Sequence, residues 1–135
     1  MYTPNLKVTN DLSKAVENKA AKIMVWDKSN ALLRLSNNHE LLVKICVLFL
    51  ETVPEKILNL HKATHAKDFE LIRTISHNLN GSAGGIGAAS LQMDFQFLEE
   101  SAQELNIIGI EEKMKLIDEH YECLSELLKS EMSLS

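Results

Sequence analysis

The chain has 135 residues, 45% of them hydrophobic and 24% charged, the proportions of one globular domain with a single core. Its formal net charge is −5, and the basic residues are scattered instead of gathered on one segment, which argues against nucleic acid as a partner. The longest apolar run, Ile45 to Leu50, is too short to span a bilayer and the first residues hold no signal-peptide core, so a cytoplasmic domain without membrane contact is expected.

Only five glycines and two prolines interrupt a sequence dominated by Leu, Ala, Glu and Lys, which predicts an all-α protein. Cys46 and Cys123 both fall among apolar residues of expected helices. Two cysteines without a pattern form neither a disulfide framework nor a zinc motif, so both are expected to be reduced, buried thiols.

Residues 1–25 show weak periodicity and read as an extension or linker, with one amphipathic helix over Asn10 to Met24. The ordered domain is expected over 26–131. It opens at Val25-Trp26-Asp27, where Asp27 can cap a short apolar helix around Ala31 to Leu35. Asn37-Asn38 then caps a second helix from about His39 to Ala66, with Cys46, Leu50, Val53, Ile57 and Leu60 on one stripe and a bend expected at Pro54. A third helix from Asp68 carries Ile72, Ile75, Leu79, Ala83 and Ile86 on its buried face and ends at Gly87. Ser90 is expected to cap a fourth helix with Leu91, Phe95, Leu98, Ala102 and Leu105 inward. A fifth is expected after Gly109, through Met114, Ile117, Tyr121, Leu124 and Leu128. Short connections predict an antiparallel up-and-down four-helix bundle with the short first helix as a lid.

His77 stands apart from this core pattern. At about 100° per residue it lies roughly 160° from the buried stripe of the third helix, so its imidazole points to solvent. Gly81 and Gly84 fall within about 40° of it on the same wheel, leaving bare backbone one and two turns away for something large to approach. A glycine in an exposed helix costs roughly 1 kcal/mol relative to alanine, and the nearby helix end accounts for Gly84, Gly85 and Gly87 but not for Gly81 beside an exposed histidine. A neutral imidazole nitrogen near pH 7 is a nucleophile suited to carrying a phosphoryl group reversibly.

The run Ser76-His77-Asn78-Leu79-Asn80-Gly81-Ser82-Ala83, followed by Gly87, Leu91 and Leu98-Glu99, resembles the signature of the histidine-phosphotransfer (HPt) domains of bacterial two-component phosphorelays. Upstream, Asp27, Leu32-Leu33, Phe49, Leu60 and Asp68 fit the hybrid sensor kinase type, and the likeness covers roughly residues 26 to 130. The resemblance implies that His77 is phosphorylated on its far ring nitrogen, by a receiver-domain aspartate, and passes the group to a response regulator aspartate. It implies that Gly81 gives the receiver room to close, that Glu99 orients the imidazole, that receivers and a parent hybrid kinase are the partners, and that Mg2+ belongs to the receiver while this chain binds no cofactor. The chain departs from the family three residues after the histidine, where Asn80 replaces the usual lysine. Asn80 can still donate a hydrogen bond to a phosphoryl oxygen, and Arg73, one turn before His77, is a candidate for the missing charge. Leu41 and Leu48, opposite the core stripe of the second helix, are candidates for the partner-facing surface, unless the first helix or the extension covers them.

Other readings are weaker. The acid and proline that follow an autokinase histidine are missing, as is a glycine-rich nucleotide loop, so the chain is expected to be a carrier rather than an enzyme. A metal-centred helical bundle would need Glu three residues before a histidine, which no histidine here has. His61 and His65, four apart, lack a completing ligand and read as surface residues, and no role is assigned to His39 or His120. The remaining alternative is a monomeric helical interaction module that is never phosphorylated; a monomer is expected in either case.

Overall fold

A computed structural model describes residues 25–134; the amphipathic helix expected over 10–24 lies outside the described residues. These form five helices, α1 (Lys28–Arg34), α2 (His39–His65), α3 (Phe69–Ile86), α4 (Ala89–Gln103) and α5 (Ile107–Leu134), with no strand among them. α3 packs on α2 and α4, α5 packs on α4 and α2, and α1 touches α2 and α3.

The connections share one construction. A residue in the left-handed region ends each helix: Ser36 and Asn37, Lys67, Gly87 and Leu105, with φ of 56°, 61°, 55°, 81° and 59°. The next N–H then reaches back to a carbonyl five residues earlier, as in Asp68 to Ala63, Ala88 to Ala83 and Asn106 to Ser101, each 2.9 Å. That same residue starts the following helix. Asp68 accepts from the Leu71 N–H and Asn106 from the Gly109 N–H, at 3.1 and 3.0 Å. Asp27 and Asn38 cap α1 and α2 as expected, through the N–H groups of Asn30 and Leu41.

Two of the expected helix starts move. α4 begins after Ala88, which offers no side-chain cap, so Ser90 lies inside the helix and caps nothing. Gly109 lies in the first turn of α5 instead of before it, because Asn106 supplies the cap. Leu105 is 65% exposed and not part of the core: its left-handed backbone has already left the α4 axis.

The core is continuous through Leu42, Phe49, Val53, Leu60, Ile72, Leu79, Ile86, Leu91, Phe95, Leu98, Ile110, Ile117, Leu124 and Leu128. Each such side chain contributes roughly 1.5–3 kcal/mol on burial. Leu50 is only half-buried, and Leu42 and Phe49 take its place on the inward face of α2. α2 runs through Pro54 without interruption.

The cysteines divide. Cys46 is buried, and its pKa is pushed up from 9.0 to about 11 by that burial first, with Glu131 adding to the rise and Lys28 opposing it. Cys123 is exposed, contrary to the expectation from its apolar neighbours, because it sits on the outer side of α5 beside the buried Leu124. A thiol reagent at about pH 8 should therefore modify Cys123 quickly and Cys46 only on unfolding, as read by mass spectrometry of native and denatured protein. Since the folded value lies above the unfolded one, the Cys46 contribution to stability is intact below pH 9 and lost as pH rises toward 11. Rapid modification of folded Cys123→Ser would contradict this account.

Candidate functional site

α3 sets the site. Its inward face is Ile72, Ser76, Leu79, Ala83 and Ile86, and the helical repeat then turns His77 outward, where its side chain is 77% exposed. The fixed partner is Glu99 on α4, three-quarters buried, whose Oε2 lies 2.9 Å from His77 Nδ1. An ionised carboxylate can only accept, so the ring proton belongs on Nδ1 and the lone pair is left on Nε2, at the outer edge of the ring. Ser76, beneath His77, is fully buried and small, and its hydroxyl has no hydrogen-bond partner among the described residues.

The glycines play different parts. A Cβ built on Gly81 or Gly85 meets nothing within 4 Å, so the backbone here is open to approach. Gly84 is less open: it is half-buried, and a Cβ there would stand 2.8 Å from the amide end of the Gln92 side chain, which could swing aside. Gly84 keeps the direction expected from the wheel but lies beside the mobile end of this α4 side chain, which the wheel does not show. Gly87 is required by its φ of 81° and by the Asp27 carbonyl, which a Cβ would meet at 2.7 Å.

Beside His77, a shallow hollow of about 220 Å³ is lined by Ile45, Leu48, Phe49 and Thr52 of α2 and by Gly81, Ser82, Gly85 and Ile86 of α3. Leu48 is 59% exposed at its rim. Leu41 is exposed on the same side of α2 but lines no part of this hollow, so the two leucines flagged in the sequence are not brought together into one pocket.

Arg73 is exposed, Asn80 is half-buried, and neither forms a hydrogen bond or ion pair among the described residues. The cation that does reach this part of α3 comes from α2: Lys56 Nζ donates to Asn78 Oδ1 at 2.9 Å. Nothing in the sequence beyond a lone lysine between Val53 and Ile57 signalled that contact.

A second histidine–carboxylate pair was also missed. His120 Nδ1 lies 2.6 Å from Asp94 Oδ2, and Lys113 Nζ 3.7 Å from the other oxygen of this buried carboxylate. The readable signal was a polar residue within each apolar stripe, Asp94 between Leu91 and Leu98, and His120 between Ile117 and Leu124. The pair borders a wider hollow of about 590 Å³ on the opposite face of α4 from Glu99, lined by Val25, Met93, Phe97 and Cys123 among others. His61 holds Asp118 at 2.9 Å, while His65 is exposed. No group of three or more metal-ligating side chains occurs among the described residues.

The family model described as Hpt domain matches residues 44–130, which takes in His77, Gly81, Glu99 and the whole of α3 and α4. The chain belongs to the Hpt domain family. Comparison with curated proteins and with solved structures gives no significant match. Members of this family carry out histidine phosphotransfer in two-component phosphorelays and interact with receiver domains of response regulators. In this Hpt domain no helix among the described residues is long and apolar enough to cross a membrane.

The glycine geometry separates two substitutions that look alike in the sequence. Gly81→Ala should raise stability by about 0.5–1 kcal/mol, since the helix gains propensity and the methyl meets nothing. Gly87→Ala should lower it by at least about 1 kcal/mol through left-handed strain and the clash with the Asp27 carbonyl. Denaturant unfolding of the two variants checks both signs; equal effects would overturn the reading of the turn.

Proposed function

We propose that this Hpt domain is a phosphorelay intermediate that accepts a phosphoryl group on His77 Nε2 from a receiver-domain aspartate and delivers it to the aspartate of a response regulator. The observation that carries the proposal is the His77–Glu99 pair: an imidazole with its inner nitrogen held by a carboxylate and its outer nitrogen free on an exposed helix face. The Nε2 lone pair attacks phosphorus as the P–O bond to the donor aspartate breaks, and that aspartate leaves as a carboxylate. No proton has to move, because Nδ1 keeps its proton throughout. The ring becomes an N-phosphorylated imidazolium whose positive charge faces Glu99. Delivery is the reverse, with the phosphoryl group going to the acceptor carboxylate.

The receiver would close over Gly81 and the adjoining hollow with Leu48 as an apolar contact, while Leu41 extends the same side of α2. Asn80 is available as a donor to a phosphoryl oxygen. Mg2+ would be supplied in the receiver, and this chain would act as a carrier that depends on a phosphorylated donor, not as an autokinase. The tight connections and the packing of α2, α3, α4 and α5 support an antiparallel bundle with α1 as a lid over one end, working as a cytoplasmic monomer. The kinship with hybrid sensor kinases is part of the same proposal.

Incubation with receiver domains from the same organism, charged by acetyl phosphate, should place acid-labile label on the wild-type protein and none on His77→Gln. Glu99→Ala should remain folded and take up label about tenfold more slowly, because the ring loses its fixed tautomer. Absence of label with every receiver, or label that survives His77→Gln, would favour a purely structural interaction module.

A further inference from the structure

The arrangement of charge around His77 is uneven. Glu99 flanks the ring on the α4 side and would face the imidazolium charge of the phosphorylated state, while the phosphoryl oxygens on Nε2 would carry a charge of roughly −1.5 to −2 on the outer side, as a phosphate monoester does at neutral pH. The ring charge is matched by Glu99, so the phosphoryl oxygens keep a net negative charge that a nearby cation would stabilise.

α2 supplies one from the other flank. Leu48 and Thr52 line the hollow with Gly85, Ser82 and Gly81 of α3, and Lys56 is the next residue of that row, one turn beyond Thr52. Lys56 follows Thr52 by one turn on α2 and His77 precedes Gly81 by one turn on α3, so each lies one turn from a residue lining the hollow. The bond from Lys56 Nζ to Asn78 Oδ1 sets the ammonium against α3. Asn78 is the immediate chain neighbour of His77 and lies about 100° around the helix from it, on the side away from Glu99.

We infer that Lys56 is the counter-cation of the phosphorylated state: held on Asn78 Oδ1 while His77 is free, its ammonium shifts onto a phosphoryl oxygen once the group is carried. The inference rests on the reading of His77 as the phosphorylated residue and deepens it. A lysine is suited to such a shift, since its charge is a compact ammonium on a flexible stem with three donors. Asn78 is a neutral acceptor and gives up the ammonium more readily than a carboxylate would. Arg73 is a poorer candidate, because it is exposed and unordered by any partner, so the whole of its side-chain freedom would be lost on contact. Asn80 carries no charge and stands nearer the Glu99 flank, about 60° from His77 in the direction opposite to Asn78. Lys56 would thus supply from α2 the charge that Asn80 does not.

The experiment measures the equilibrium between phosphohistidine on this protein and phosphoaspartate on an acetyl-phosphate-charged receiver domain, at low and high salt. Lys56→Met, which keeps the aliphatic stem, should shift the equilibrium toward the receiver by about three- to tenfold at low salt and flatten its salt dependence, with thermal unfolding unchanged. Lys56→Met with Asn80→Lys should recover most of the loss, and Arg73→Ala should leave the equilibrium unchanged. Asn78→Ala separates charge from mere tethering: it removes the hydrogen bond and leaves the cation, so it should move the equilibrium by no more than about twofold and keep the wild-type salt dependence. If Asn78→Ala behaves like Lys56→Met, or if Lys56→Met matches the wild type, the inference fails while the role of His77 stands. If the wild-type protein takes no label at all, the proposed function itself is what fails.

Discussion

The site depends on one turn. α3 stops at Ile86, Gly87 takes a left-handed conformation, and the Ala88 N–H closes back on Ala83, so α4 starts immediately and returns along α3. His77 lies ten residues before Gly87 and Glu99 twelve after it, distances along the two helices of about 15 and 18 Å at the helical rise. Only a turn this short leaves so little slack that the two side chains meet with Nδ1 and Oε2 at 2.9 Å. The segment before α1 fastens the turn from outside: the Asp27 N–H donates to the Gly87 carbonyl and Trp26 Nε1 to that of Ile86, both at 2.9 Å, with the Trp26 ring buried. The carbonyls that a helix end leaves without intrahelical partners are thereby satisfied.

Close approach of α3 and α4 has a consequence for composition. Ser76, Ala83 and Gly84 are the α3 residues nearest the partner helix face, and small side chains there let Gln92 lie across Gly84 and Glu99 reach His77. The same shortage of side chains lowers intrinsic helix stability, by about 1 kcal/mol for each exposed glycine. Burial of Ile72, Leu79 and Ile86 on the inward face, away from Gly81 and Gly85, more than offsets it. The helix can therefore present bare backbone at Gly81 and Gly85 without losing its place in the core.

Much of this was legible in the sequence because it rests on local chemistry. Periodicity located the α3 stripe and hence the exposure of His77, and Asp27, Asn38 and Asp68 marked helix starts through hydrogen bonds made within three residues. What failed was decided by residues distant in the chain or by an unfavoured backbone. Leu105 and Lys67 adopt left-handed φ that their side chains do not favour, so no residue type announced the ends of α4 and α2. Ala88 starts α4 without a capping side chain, which made Ser90 the more plausible choice. Gly84 is less open than Gly81 because the side chain beside it belongs to α4. The Lys56–Asn78 contact spans 22 positions and joins residues of ordinary surface type, so periodicity could place each on its helix but could not pair them.

Two of the histidine–carboxylate pairs, His77–Glu99 and His120–Asp94, differ in what the proposed phosphotransfer would need. Both use Nδ1 and both draw their carboxylate from α4, with Glu99 on one face and Asp94 on the other. Asp94 is nearly sealed from solvent, shared with Lys113, and its histidine is 31% exposed. That carboxylate is neutralised within the fold, and the pair joins α4 to α5. Among the described residues Glu99 has no cation against it other than the imidazole, which is 77% exposed beside a helix face without side chains at Gly81 and Gly85. Fixing a tautomer is thus common to both pairs and cannot by itself confer phosphotransfer. The difference lies in whether a second protein can bring an aspartyl phosphate to Nε2 along the line of attack, which requires exposure, missing side chains on the approach and an anchored cation on the far flank. His77 has the exposure and the bare backbone that His120 lacks, so under the proposed function the surface around the histidine, more than the dyad that orients it, would select the site.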